Sequence, residues 1–155
     1  MGDSKLSATL EDYLEKIAVL KLRKGVARVR DIGELMGVRN SSVTSALATL
    51  SRMGLAEHER YGYIDLTAEG EKAAAAVQNR HTILYNFLTS VLNIPPATAE
   101  EDACSIEHCV STETLAKFSM FLEFVKSCSK PDKPECLKMF DQYVQTGVRS
   151  GCTGN

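Results

Sequence analysis

No apolar run in this chain of 155 residues reaches the roughly 20 residues needed to cross a bilayer as a helix. The opening stretch MGDSKLSATLEDY also lacks the apolar core of a secretory signal. These absences predict a soluble, cytoplasmic protein with no membrane partner. In that compartment the five cysteines are expected to be reduced. The length allows one large domain or two small ones and needs no disulfides to build a core. The net charge is also small, at -2, which on average excludes a strongly basic nucleic-acid binder.

That average hides an asymmetry. Residues 21–60 hold eight basic side chains, Lys21, Arg23, Lys24, Arg28, Arg30, Arg39, Arg52 and Arg60, against four acidic ones, a balance of +4. Acids gather elsewhere, as Glu11, Asp12 and Glu15 near the start and Glu100, Glu101, Asp102 and Glu107 in the middle. One region suits phosphates and the other suits cations. Within the acidic region, CSIEH sets Cys104, Glu107 and His108 at helical spacings of three and four. On a helix these side chains share a face, and thiolate, carboxylate and imidazole together make a metal-ligand set.

Periodicity gives the organisation. A first helix is predicted from Ser7 to Leu22, with Thr9 and Asp12 at capping-box spacing and a stop at Lys24-Gly25. A short strand over 27–29 precedes a helix closed by Gly37, and a third helix starts at Asn40 or Ser41. Its apolar face is Val43, Leu47, Leu50 and Met53, and Gly54 ends it. Two helices joined by a tight turn, the second opening with Arg39, Asn40, Ser41, Ser42, Thr44 and Ser45, fit a helix-turn-helix that offers polar groups to base edges. Small hydroxyls there also suit phosphates beside the helix N-terminus. The alternating segment AEHERYGYIDLT reads as a hairpin wing, carrying Arg60 and Tyr61 near its tip.

Thr67 is placed to cap a long helix that is alanine-rich in its first half and strongly apolar in its second, with His81 between. Asn93 and Pro95-Pro96 end it, an acidic helix carries CSIEH, and Ser111 caps a further amphipathic helix. That helix contains Leu115, Phe118, Phe121, Leu122 and Val125, and Leu115, Phe118 and Leu122 are more than one helix needs for a monomer core of this size, which suggests burial of part of this half against a second subunit. Pro134 is placed to open a last helix.

TLEDYLEKI, the helix-turn-helix with SSVT, the wing ending in LTAEGEKAA, then NRH and DACSIEH occur in an order that resembles the metal-dependent repressors of the diphtheria-toxin-repressor and manganese-transport-regulator family. The likeness runs from about Thr9 to Phe124 and resembles the shorter branch, without an SH3-like domain. It implies a mainly α fold: a winged helix-turn-helix over 1–70 with a small β-hairpin wing, then an all-α metal-binding and dimerisation domain over 71–155. It also implies metal ligands at Asp12, Glu15, His81, Cys104, Glu107 and His108. The implied partners are double-stranded operator DNA and a second copy of the chain, with Arg28, Arg30, Arg39, Asn40, Ser41, Ser42, Thr44, Ser45, Arg60 and Tyr61 as DNA-binding residues.

Within the resemblance, manganese-responsive members carry glutamate at the place of Cys104, whereas iron-responsive members carry methionine at the place of Asp12. This chain has a mixed set. Oxygen donors suit Mn(II), and a thiolate with imidazole moves the preference toward Fe(II), Co(II) or Zn(II). The expected effector is Fe(II), with Mn(II) second and Co(II), Ni(II) or Zn(II) as substitutes. The second site of the iron branch would need a glutamate and a histidine where this chain has Tyr85 and Glu100, of which only Glu100 suits an accessory role.

Two other classes fit less of the chain. Cys128, Cys136 and Cys152 would carry the signal of a redox or iron-sulfur sensor, but their spacings match no compact zinc signature. A metallohydrolase lacks an evident general base or nucleophile beyond the ligands, and the expectation is that the protein is not an enzyme.

Overall fold

The computed structural model describes residues 6–58, 62–127 and 134–148. It divides into two compact units, Met1–Asn79 and Arg80–Asn155.

The first unit opens with α1 (Ala8–Lys24). Its N-cap is Ser7, whose hydroxyl accepts from the Leu10 backbone N–H at 3.4 Å, two residues ahead of the predicted Thr9 cap. Leu6 and Leu10 both pack against the core, which holds the chain helical from Ala8 onward. Gly25 ends the helix in the left-handed region, at φ 78°, as its lack of a side chain permits. After β1 (Ala27–Arg28) come α2 (Val29–Met36) and α3 (Asn40–Arg52). The residue capping α3 is Arg39, with no side-chain cap bond, rather than Asn40 or Ser41. The turn between α2 and α3 is tight enough that a Cβ on Gly33 would lie 3.1 Å from the Val38 carbonyl oxygen.

The wing strands β2 (Ala56–His58) and β3 (Tyr63–Leu66) are antiparallel, pairing Ala56 with Leu66 and His58 with Ile64. The hairpin gains a third strand, because β1 pairs with the other edge of β3 through Ala27 and Ile64. Leu14 and Ile17 of α1, Ile32 of α2, and Val43, Leu47 and Leu50 of α3 close over this sheet with essentially no exposed surface. Met53, expected on the same face, is exposed. Lys21 of α1 is paired with Asp65 of β3 and lies 3.5 Å from Glu71, and the Asp65 hydrogen bond raises its ammonium above the ordinary lysine value.

Helix α4 (Ala68–Ser90) begins at a close junction. Thr67 Oγ1 accepts from the Gly70 N–H at 3.1 Å and donates to the Gly54 carbonyl at 2.7 Å, while the Thr67 N–H bonds Leu55 O at 3.1 Å. Gly70 is forced by this packing, since a Cβ there would lie 1.9 Å from the Leu55 carbonyl oxygen.

The second unit takes the last turns of α4, then α5 (Pro96–Ile106), α6 (Thr112–Ser127) and α7 (Glu135–Thr146). Asn93 stands at φ 54° ahead of the two prolines. Two small cores form here: Leu84, Ala103 and Leu115 in one, and Val91, Leu122, Val125 and Leu137 in the other.

Gly70→Ala is expected to destabilise the chain by about 1 to 3 kcal/mol, because backbone must shift to admit the methyl group. Urea unfolding of the full chain measures it. An unchanged midpoint would mean that α4 does not start in van der Waals contact with Leu55.

Candidate metal centre and nucleic-acid interface

The second unit gathers two imidazoles and two carboxylates. His81, midway along α4, directs Nδ1 at Glu107 Oε2, 2.8 Å distant, and Nε2 at Glu100 Oε2, 3.2 Å distant. His108 Nε2 lies 3.5 Å from the other Glu107 oxygen. The Glu107 side chain has no exposed surface, His81 and His108 are about nine-tenths buried, and Glu100 is 64% exposed. Tyr85 stacks beside His81, with centroids 6.4 Å apart and planes 12° from parallel.

A carboxylate is not buried without a partner, since the cost of desolvation is too large. Here its neighbours are imidazoles, which act as donors or as metal ligands according to protonation. Oxygen and imidazole donors on one buried carboxylate are a set that fits a divalent first-row cation.

The local backbone differs from a simple ligand-bearing helix. Helix α5 ends at Ile106; Glu107 is its C-cap, still in helical conformation with its N–H on Ala103 O at 3.0 Å, and His108 stands in the following turn. Cys104, one turn earlier, is exposed, as is Cys109. Asp12 and Glu15 lie in the first unit, one turn apart on α1. Asp12 is half-buried, whereas Glu15 is buried and 2.6 Å from Lys16 Nζ.

The residues expected at a nucleic-acid surface are mostly on the outside of the first unit. Arg39, Asn40, Ser41, Ser42, Thr44 and Ser45 are all exposed at the start of α3. Thr44 donates its hydroxyl proton to Asn40 O at 2.9 Å, so that proton serves the helix backbone. Arg28 donates to the Tyr63 hydroxyl at 3.2 Å and stacks over its ring at 5.1 Å, and Arg30 pairs with Glu34 at 2.9 Å. Arg60 and Tyr61 lie outside the described residues, as do Cys128 and Cys152 and the side chain of Cys136.

Beside α3 runs a groove lined by hydroxyl groups, from Thr9 and Tyr13 of α1 and Ser41, Ser42, Ser45 and Thr49 of α3. Burial pushes the Tyr13 phenol up, so it stays a neutral hydrogen-bonding group. Sequence reasoning placed Ser41, Ser42 and Ser45 at this surface but not Thr9, Tyr13 or Thr49; Tyr63 was likewise missed. The period of α1 does assign Tyr13 to its inner face, but nothing local says which helix it meets.

Two family models cover most of the chain. Residues 5–64 match the iron dependent repressor N-terminal DNA binding domain, and residues 67–135 match the iron dependent repressor metal binding and dimerisation domain. A transcriptional regulator MntR of Escherichia coli is 41% identical over 114 residues, 74% of this chain and 73% of that protein. An uncharacterised HTH-type transcriptional regulator of Methanocaldococcus jannaschii is 32% identical over 122 residues, 78% of this chain and 98% of that protein.

Among solved structures, the IdeR of T. acidophilum superposes with a TM-score of 0.69 at 29% identity, covering 77% of this chain and 56% of that one. A manganese-dependent transcriptional repressor in complex with manganese gives 0.69 at 28%, covering 74% and 53%. The chain thus spans about half the length of these crystallised proteins. The alternative of a redox or iron-sulfur sensor has no support in these matches. Among the described residues, no helix is long and apolar enough to cross a membrane.

Alkylation of the native, metal-free protein is expected to label Cys104 and Cys109 at rates near those of the denatured chain, read by peptide mass spectrometry. Strong protection of Cys104 in the absence of metal would contradict its solvent-facing position on α5.

Proposed function

This chain belongs to the family of metal-dependent transcriptional repressors that includes the iron-dependent repressors and the manganese-transport regulators, and from that premise we propose that it is a repressor of metal-ion uptake or homeostasis genes that binds operator DNA as a homodimer when loaded with Fe(II) or Mn(II). The family consists of transcriptional regulators that bind DNA, dimerise and take up divalent metal. In this reading residues 1–70 read DNA and residues 71–155 hold metal and the second subunit, in the cytoplasm.

The observation that carries the proposal is the buried Glu107 carboxylate flanked by the imidazoles of His81 and His108. With Glu100 on the outer nitrogen of His81, these four side chains supply oxygen and nitrogen donors. Following the family motif, Asp12 and Glu15 of α1 and Cys104 of α5 complete the proposed ligand set. Divalent metal, when bound, supplies positive charge that offsets these carboxylates. Glu107 fixes the orientation of the His81 ring by engaging Nδ1, and the surrounding burial excludes water that would compete for the same donors.

Because the proposed ligands come from both units, occupancy and the disposition of α3 are thermodynamically linked. A coupling of about 1 to 3 kcal/mol changes DNA affinity ~5- to 150-fold. A homodimer must present its two recognition helices about 34 Å apart to engage successive half-sites. Arg39, Asn40, Ser41, Ser42, Thr44 and Ser45 are proposed to meet base edges and adjacent phosphates. Arg28 and Arg30, with Arg60 and Tyr61 of the wing, are proposed to meet the backbone.

Anaerobic titration with Fe(II), Mn(II), Co(II), Ni(II) and Zn(II), following binding to a genomic DNA pool, tests the switch. Metal is expected to raise affinity ~5- to 150-fold, and Glu107→Ala is expected to remove that response while leaving the weak metal-free binding intact. Equal binding with metal and with chelator would end the proposal.

Cys104 decides between the two leading effectors. We take Fe(II) as the first of them, on the strength of a thiolate among imidazole donors. Cys104→Glu, which gives the chain an all-oxygen-and-nitrogen set, is expected to shift the half-maximal concentrations in favour of Mn(II) over Fe(II) by about tenfold, a step of about 1.4 kcal/mol. Bound metal is also expected to protect Cys104 from alkylation and leave Cys109 reactive. An unchanged metal ranking with no protection would remove Cys104 from the ligand set.

A further inference from the structure

The basic side chains around β1 differ in what stands against their charge. Lys24, at the end of α1, holds the Asp31 carboxylate at 2.8 Å, and Arg30 of α2 holds Glu34 at 2.9 Å, one turn along the same helix. Arg28 lies between them in sequence and makes no ion pair among the described residues. Its partner is a neutral ring. Arg28 Nη2 donates to the Tyr63 hydroxyl at 3.2 Å, and its guanidinium carbon lies 5.1 Å from the ring centroid.

The strand pairing brings the two together. In the antiparallel pair of β1 and β3, Ala27 stands opposite Ile64 and Arg28 opposite Tyr63. Side chains alternate across a strand, so the buried Ala27 and Ile64 take the inner face while Arg28 and Tyr63 share the outer one. Arg28 is exposed there and Tyr63 is half-buried. Arg28 is also the N-cap residue of α2, extended in backbone and with no side-chain cap bond, so its guanidinium is not occupied by the helix end.

We propose that Tyr63 is a positioning residue that holds Arg28 as a DNA phosphate contact, and that Arg28 is a stronger contact than Arg30. This rests on the DNA-binding reading above and deepens it, by ranking two of its arginines and adding Tyr63. Release of counterions from DNA depends on the positive charge brought to the phosphates. An exposed pair such as Arg30 with Glu34 is weak, but its two charges still largely cancel. If Arg30 leaves Glu34 for a phosphate, a carboxylate remains one turn away. Arg28 brings a full charge, because Tyr63 orients it by ring face and hydroxyl without offsetting it. The ring also restricts a long side chain before DNA arrives, which lowers the ordering cost of the contact.

Binding of the full chain to a short random-sequence duplex in Mn(II), measured over a range of salt, tests this on Arg28→Gln, Arg30→Gln, Tyr63→Phe and Tyr63→Leu, and on each Tyr63 change combined with Arg28→Gln. Arg28→Gln is expected to reduce the slope of log affinity against log salt by about 1, and Arg30→Gln by less. Tyr63→Phe keeps the ring face and loses the hydroxyl, and is expected to weaken binding about threefold; Tyr63→Leu loses both and is expected to weaken it about tenfold. In the Arg28→Gln background both Tyr63 changes are expected to cost nothing further, the non-additivity of a residue that acts through its neighbour. Circular dichroism melting reports on the fold, and should Tyr63→Leu melt early, the cycle with Tyr63→Phe makes the same comparison.

A side chain that only supports the wing costs the same in both backgrounds, so equal losses from Tyr63→Phe with and without Arg28→Gln would overturn the positioning role. A slope change for Arg30→Gln as large as that for Arg28→Gln would overturn the ranking. A wild-type chain that bound no duplex, with metal or with chelator, would overturn the DNA-binding reading itself and this inference with it.

Discussion

A carboxylate with no solvent-exposed surface has to be met by positive charge or by donors, and around Glu107 that requirement organises the second unit. His81 reaches it from α4 and His108 from the turn after α5, so two stretches far apart in sequence are held to one charge. The apolar residues nearby, Leu84, Ala103 and Leu115, lower the local polarity and so raise the value of each polar contact. Burial of this kind is poor value for stability alone, since well-packed apolar groups of similar volume would serve as well or better.

The first unit follows a different logic. Its core is apolar and continuous, from α1 through α2 and α3 to the three-stranded sheet, and its polar groups are turned outward. Charge pairs such as Lys24 with Asp31, which lowers the Asp31 carboxyl, sit at the rim where water screens them. The unit is therefore a scaffold whose exposed α3 N-terminus is available for contact, whereas the second unit buries Glu107 and most of His81 and His108.

Much of this was legible in the sequence because the signals were local. Gly25, Gly37 and Gly54 closed their helices, Thr67 capped α4, and the alternating segment formed β2 and β3. What was not legible came from tertiary contact. Thr9 and Asp12 have the spacing of a capping box, yet Ser7 takes the cap because Leu6 and Leu10 are drawn onto the core. The pairing of β1 with β3 depends on a partner 37 residues away, as Ala27 and Ile64 show, and a two-residue strand has no periodicity to read. Glu107 and His108 were legible as ligand types, but their spacing in sequence gave no sign that the helix stops at Ile106. Nor did the sequence show that Cys104 would face solvent while Glu107 is buried, since residues three apart share a face without sharing depth.

The end of α5 at Ile106 separates two things that a regular helix would tie together. On an unbroken helix the offset between neighbouring side chains is fixed by the backbone repeat and only a change of residue alters it. Here Glu107 caps the helix and His108 belongs to the turn, whose path is set by Cys109, Val110 and Ser111 through their bonds back to Ile106 and forward to α6. Substitutions at those three residues can therefore alter the separation of the Glu107 carboxylate and the His108 imidazole while both residues are kept.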